Sequence, residues 1–402
     1  MKKRILFVDD DPMLARVYVT VLQDQSAHWE VRSATSGPKA LELAEKAPFD
    51  IVVADYRMPG MTGLQLVEEI RKRNPRTSRV ILSGIHDQEE IARCLNSTHQ
   101  FIGKPVDLTT LRATLTRICA LDNLLMDEKL RSLVGQFQAL PSFPALYVEI
   151  VKELSSADPS IERIAEIVAL DPGMTAKMLQ IVNSAAFGLA RKISSPFEAV
   201  QFLGTATVRS LVLSVHVFSS FDRKVEGFSM EEFWQHALRC AALSRNVSRS
   251  AEADAAISEE AYIAGMLHDV GKLMLVTGLP EQFNQALRLA AEHRVPLHEV
   301  EPRVYGASHA SVGAYLLGLW GLPAPIVEAV AFHHTPSQSD TRIFGPLTAV
   351  HAANELEHEC LTVRESAAAN QWDSDYLNGV GVAEQMESWR AEAVRLFAAR
   401  AD

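Results

Sequence analysis

Ile5-Leu6-Phe7-Val8-Asp9-Asp10-Asp11 passes from four apolar residues directly into three carboxylates, and Ile51-Val52-Val53-Ala54-Asp55 ends a second apolar run on another. Short apolar runs bounded by polar residues read as strands buried on both faces. Val80–Leu82 and Phe101–Ile102 are two more such runs, and the periodic segments Leu64–Ile70 and Ile91–Leu95 lie between them. Strands alternating with helices imply βα units and a mostly parallel sheet. In such a sheet, ligands gather beyond the carboxyl ends of the strands.

Those strand ends carry Asp9 and Asp10, Asp55, Ser83 and Lys104. Closely packed carboxylates repel unless a cation joins them. Oxygen ligands suit Mg²⁺, which takes one or two carboxylates and fills its shell with water or phosphate. A carboxylate nucleophile, a metal, a hydroxyl and an ammonium together equip a site for phosphoryl transfer. One aspartate after one strand is common in turns. Five functional residues after four successive strands are not explained that way.

The motifs Val8-Asp9-Asp10-Asp11, Asp55 ahead of Met58-Pro59-Gly60, Ser83-Gly84 and Gly103-Lys104-Pro105 resemble the response-regulator receiver pattern, in order and over the whole segment. The resemblance implies a doubly wound, flavodoxin-like α/β domain over residues 1–120 with a five-stranded parallel sheet. It implies Asp55 as phosphoacceptor, with Asp9, Asp10, Asp55 and the Arg57 carbonyl around Mg²⁺. Ser83 and Lys104 would hold the phosphate, and Phe101 would be the aromatic switch position. Phenylalanine lacks the tyrosine hydroxyl, so any switching there is by packing alone. A sensor histidine kinase is the implied phosphoryl donor.

From Leu111 onward the strand signal stops. Leu111, Leu115, Ile118, Leu121 and Leu125 form a helical seam that leads out of the first domain, so 121–135 is expected to be a helical connector. The remainder is punctuated by helix starts such as Asp158-Pro159 and Asp171-Pro172. Ala145–Leu154, Ile161–Leu170 and Met174–Ala186 are amphipathic, and Met386, Trp389, Val394 and Leu396 suggest a closing helix within 362–402. The architecture is α/β first and all-α afterwards.

A second ordered series runs through Leu140-Pro141-Ser142-Phe143-Pro144, Asp171-Pro172-Gly173-Met174-Thr175, Val182-Asn183-Ser184-Ala185 and Ile193-Ser194-Ser195. It continues in Ala199-Val200-Gln201-Phe202-Leu203-Gly204 and Met266-Leu267-His268-Asp269-Val270-Gly271-Lys272. It resembles the HDOD domain, a signalling output module related to the HD phosphohydrolases, and implies an HD-related helical bundle over 136–361. For Asn183-Ser184 a buried polar cap is the expected role.

The order of His236, His268, Asp269, His309, His333 and His334 resembles the cyclic-dinucleotide phosphodiesterase branch, called HD-GYP, in which such residues bind a divalent metal such as Fe or Mn. Adjacent residues on a helix project about 100° apart, so one metal can reach both His268 and Asp269. Metal-bound water is the nucleophile in that chemistry, and Lys272 would contact substrate phosphate. Asn354 stands at the late carboxylate position as a seventh candidate ligand, but a neutral and weaker one; the Gly-Tyr-Pro triplet is absent, Thr335 replaces the expected Glu, and Thr335–Arg342 is short for a substrate segment, departures that point the other way. The expected output is therefore a non-catalytic module binding a signalling protein or nucleotide, with a homodimer as one expected form. A phosphorylation-gated cyclic di-GMP phosphodiesterase is the alternative.

Composition bounds the rest. With 402 residues, two or three domains are expected. Residues 1–120 hold 17 Lys and Arg against 15 Asp and Glu, or +2, and the remainder holds 22 against 35, or −13, which together give the net −11. An acidic output half repels a phosphate backbone, and the one dense basic cluster, Arg71 to Arg79, reads as a solvated face; DNA binding is not expected. Cys94, Cys119, Cys240 and Cys360 are scattered without a C-x-x-C pair, which fits a reducing compartment. No apolar run approaches the ~20 residues of a membrane span. Met1-Lys2-Lys3-Arg4 precedes only Ile5–Val8 before three aspartates, too little for a leader, and a cytoplasmic protein is expected.

Overall fold

The structure, a computed structural model, describes residues 2–25, 29–83, 98–104, 106, 108–121, 128–136, 149–150, 152–154, 156, 158–183, 191–213, 227–361 and 372–398. The Ile91–Leu95 segment, Gly84, Cys94, Pro105, Leu125, Leu140–Pro144 and Ser184–Ala186 lie outside the described residues, as does part of Ala145–Leu154.

The N-terminal half runs β1 (Lys3–Val8), α1 (Pro12–Gln25), β2 (Trp29–Ala34), α2 (Gly37–Lys46), β3 (Ile51–Asp55), α3 (Gly63–Arg73), β4 (Ser78–Ser83), β5 (Gln100–Gly103) and α4 (Leu108–Leu121). The strands pair in the order β2-β1-β3-β4-β5, every pairing parallel. Ile51 to Ala54 are essentially without solvent exposure, as a strand covered on both faces requires. Register does the positioning: Val8 pairs with Ala54, Asp55 with Leu82 and Ser83 with Gly103, so the strand ends form one rim. The edge strand β2 is the one that no apolar run announced, because Glu30, Arg32 and Ser33 interrupt its sequence.

The C-terminal half is helical among the described residues: α5 (Glu128–Gln136), α6 (Ile161–Ala169), α7 (Pro172–Val182), α8 (Pro196–Leu213), α9 (Met230–Ser250) and α10 (Ala255–Leu267) come first. Then follow α11 (Val270–Gly278), α12 (Pro280–His293), α13 (Leu297–Tyr305), α14 (His309–Leu319), α15 (Ala324–Phe332), α16 (Pro346–Leu361), α17 (Ser374–Val380) and α18 (Met386–Ala398). Capping explains many of the starts. Asp171 accepts from Met174 N at 2.8 Å ahead of Pro172, and Ser229, Asp254 and Ser308 cap α9, α10 and α14. At Asp158-Pro159 the expected start is displaced, since α6 begins at Ile161 with Ser160 as its cap. Asn183 forms a two-way clamp, donating to Ile193 O at 2.6 Å and accepting from Ile193 N at 2.7 Å. The 386–398 segment is a helix that buries Trp389.

The halves meet along a polar seam. Arg79, 1% exposed at the start of β4, donates to Gly135 O on α5 at 2.7 Å. Gln100, at the start of β5, donates to Leu319 O at the end of α14 at 2.5 Å and accepts from Arg117 of α4 at 3.1 Å. Gly318 leaves room for Leu121, since a Cβ there would fall 2.4 Å from a Leu121 methyl. No helix among the described residues is long and apolar enough to cross a membrane.

Candidate functional site

At the sheet rim, carboxylate oxygens of Asp9, Asp10 and Asp55 lie within 4.8 Å of one another. Asp9 and Asp55 are buried and Asp10 faces solvent, so the cluster opens outward. Lys104 Nζ stands 2.9 Å from Asp55 Oδ1 and 3.2 Å from Asp9 Oδ2. Burial lifts the Asp55 carboxyl above the ordinary aspartate range; Lys104 opposes this and Asp9 and Asp10 add to it. Burial disfavours charge on Lys104, but the bond to Asp55 and the field of Asp9 hold its ammonium above the usual range. The donor set is all oxygen, hard and convergent, which fits Mg²⁺. Ser83 closes β4 beside Gly103, Phe101 lies within β5, and Arg57 follows β3 with an exposed side chain. The Ser83 and Phe101 side chains are outside what the structure describes.

The second site lies inside the helical half. α10 breaks at His268-Asp269, and these join His236 from α9, His309 at the head of α14 and His333-His334 after α15. Six of the seven candidate residues therefore converge, Asn354 on α16 being the exception. Four rings are fixed from behind: His268 Nδ1 lies 2.7 Å from Gly265 O and His333 Nδ1 2.9 Å from Val330 O. His309 Nδ1 lies 2.7 Å from Glu301 and His236 Nδ1 3.0 Å from Glu357. Carbonyls and carboxylates only accept, so each Nδ1 carries a proton, and each ring in its neutral form turns the Nε2 lone pair to the centre.

Those lone pairs crowd. His236 and His268 Nε2 are 3.0 Å apart, and His334 and His309 Nε2 are 3.2 Å apart. Asp269 divides the group: Oδ2 faces His236 and His268 at 3.5 and 3.6 Å, while Oδ1 faces His309 and His333 at 3.0 and 3.8 Å. Asp269 Oδ1 and His333 Nε2 are buried atoms without a hydrogen-bond partner. Converging lone pairs beside an orphaned carboxylate oxygen are what a divalent cation would satisfy, so the residues fit a metal of the Fe or Mn class. Burial pushes His268 down to about 4 and His333 and His334 well below the ordinary imidazole range, which favours neutral rings. Burial opposes charge on Asp269 too, yet Lys272, 2.6 Å away, and the histidines hold it well below the carboxylate range.

Three residues here escaped the sequence reading. Glu301, 0% exposed, also accepts from His309 N, and Cys240 stands next to His236. Glu357 contacts His236 and Arg239, one turn beyond Asn354 on α16. Asn354 itself is buried with Nδ2 unpaired. A carboxylate three residues past the expected position was the only signal that could have found Glu357.

The response regulator receiver domain model matches residues 5–116, and the HDOD domain model matches 140–336. The chain pairs a receiver domain with an HDOD domain. Among relatives, an uncharacterized protein of Treponema pallidum (strain Nichols) is 27% identical over 206 residues, 50% of this chain and 39% of its own. A cyclic di-GMP phosphodiesterase of Thermotoga maritima is 31% identical over 113 residues, 28% of this chain and 30% of its own. This chain thus spans less than two fifths of either relative. The MmoQ response regulator of Methylococcus capsulatus str. Bath is 24% identical with a TM-score of 0.48, over 63% of this chain and 98% of that one. In receiver–HDOD terms, the acidic rim belongs to the receiver and the histidine nest to the HDOD half.

Proposed function

We propose that this protein is a response regulator whose receiver, over 1–120, takes a phosphoryl group on Asp55 and controls the HDOD output, over 136–361, through the connector at 121–135. Residues 362–402 extend the output. The observation that carries this reading is the placement of Lys104 across Asp55 and Asp9 at an open rim, with room for a cation among three carboxylates. Mg²⁺ held by Asp9, Asp10, Asp55 and the Arg57 carbonyl would neutralise the incoming phosphoryl oxygens. Ser83 and Lys104 hold the product, and Phe101 switches by packing. The donor is a sensor histidine kinase.

In this reading the output holds a divalent metal at His236, His268, Asp269, His309, His333 and His334, and acts as a binding module for a protein or nucleotide partner rather than as a hydrolase. The segment after His334 favours it. Instead of a substrate loop, Pro336–Gln338 form a single 3-10 turn, and Glu328 ties Ser339 and Thr341 down at 2.5 and 2.6 Å. Acetyl phosphate with Mg²⁺ should add one phosphoryl group by intact mass and shift the oligomeric state. The same shift in Asp55→Ala would sink the proposal.

A second reading, a phosphorylation-gated cyclic di-GMP phosphodiesterase, is favoured by one observation: Asp269 directs separate oxygens at two pairs of histidines beside Lys272. One relative carries that activity in its name. A cyclic di-GMP hydrolysis assay with Mn²⁺ or Fe²⁺, with and without receiver phosphorylation, separates the two.

A further inference from the structure

Helix α14 touches both sites' domains. Its first residue is His309 of the nest, and its last, Leu319, accepts the Gln100 side chain of β5. Ten helical steps of about 1.5 Å separate these events by about 15 Å. Every α14 residue from Val312 to Leu319 is buried, so the helix has no slack in which to absorb a push at one end. Beyond Leu319 the receiver contact continues: a Cβ on Gly321 would fall 2.7 Å from Gln100 Nε2 and 3.2 Å from Arg117. Leu121 of α4 fills the space above Gly318.

The near end is equally tight. A Cβ on Gly271 would meet His309 O at 1.9 Å, so α11 and α14 lie backbone against backbone. α11 begins directly after Asp269 and contains Lys272. Moving α14 along its axis therefore displaces His309 and carries the Asp269–Lys272 segment with it. Glu301 of α13 follows, since it holds His309 at both its backbone N–H and Nδ1.

We propose that α14 is the element through which the β4–β5–α4 edge of the receiver sets the geometry of the histidine nest. The inference deepens the metal reading of that nest and rests on it. Gln100 is the point of attack: it sits next to Phe101 in β5 and is 3% exposed. Its amide nitrogen reaches the output, while its oxygen is held by Arg117 of the receiver. A change in β5 would reach His309 as a change in where Leu319 is held, which a packed helix transmits as a discrete shift.

The test uses the full chain, wild type against Gln100→Leu, with two readouts. One is amide hydrogen exchange across 309–319, and the other is Co²⁺ affinity by competition with a chelator. The expected result is faster exchange across 309–319 and a Co²⁺ affinity changed at least fivefold, the lower range of allosteric coupling. Exchange across 63–73 should stay as in wild type, showing the receiver still folded. Wild-type exchange across 309–319 with affinity within twofold would overturn the proposal. Arg117→Met, which removes the guanidinium bonded to the Gln100 amide oxygen, gives the same readouts should Gln100→Leu fail to fold. If wild type takes up no Co²⁺, the metal reading fails, and the exchange arm alone decides the coupling.

Discussion

Glu301 holds His309 at two points, accepting from its backbone N–H at 2.8 Å and standing 2.7 Å from its Nδ1. Burial opposes charge on His309, yet Glu301 and Asp269 on either side keep its imidazole above the ordinary range. A carboxylate behind a ligating imidazole fixes the ring and raises its basicity. Glu301→Ala should therefore weaken metal binding by about 10–100-fold, with Glu301→Gln falling between it and wild type. Chelator competition with Mn²⁺ measures both. An unchanged affinity in Glu301→Ala would remove Glu301 from the nest.

Lys104 is the neutralising group of the acidic rim. Lys104→Met leaves Asp9 and Asp55 facing each other without a cation. In Mg²⁺-free buffer at neutral pH the receiver should lose about 1–2 kcal/mol of stability. Saturating Mg²⁺ should restore most of it, because an ion that binds only the folded state stabilises it by mass action. Thermal melts with and without Mg²⁺ decide the matter, and equal melting of variant and wild type without Mg²⁺ would contradict it.

Arg79 anchors the seam from inside the receiver, donating to Pro75, Thr77 and Gly135 carbonyls at 3.2, 3.1 and 2.7 Å and lying 3.1 Å from His99 Nε2. Arg79→Met strands these acceptors in a buried setting. The expected loss is about 3 kcal/mol, accompanied by faster amide exchange across 128–136. A variant that melts like wild type with normal exchange there would show that the seam does not depend on this residue.

Lys177 on α7 is 1% exposed and lies 5.6 Å from the Trp320 ring, and burial lowers its ammonium from 10.5 to about 7. A base whose folded-state value is depressed costs nothing well above pH 10.5. The cost grows as pH falls towards 7 and is complete below it. Lys177→Met should thus stabilise the HDOD half by roughly 2–4 kcal/mol at pH 6, with the gain shrinking towards pH 10. Urea unfolding at the two pH values gives the sign. A gain independent of pH would mean that packing rather than titration is responsible.

Strand positions β1, β3, β4 and β5 were readable because each carries an unbroken apolar run, as a strand covered on both faces requires. β2 was not, because Glu30, Arg32 and Ser33 break its apolar run. The six nest residues were legible as an ordered series, but their partners were not. Glu301 lies two residues from Glu299 in an ordinary amphipathic helix, and nothing in its spacing separates a buried carboxylate from an exposed one. The expectation of Asn354 looked for chemistry at one place on α16 while the carboxylate contact to His236 comes from Glu357. The seam was invisible for a different reason. Gln100 and Leu319 are 219 residues apart, and a side-chain amide meeting a helix-terminal carbonyl leaves no periodicity to read.

Arg79, His99 and Gln100 lie at or just before the amino ends of β4 and β5, while Asp9, Asp55 and Lys104 lie at or just beyond the carboxyl ends of their strands. The seam and the acidic rim thus occupy opposite ends of one sheet. Under the proposed reading, a phosphoryl donor can therefore reach the rim while the two halves stay docked. In that reading the protein can be charged without being opened, and the intact seam is what passes the change on to α14.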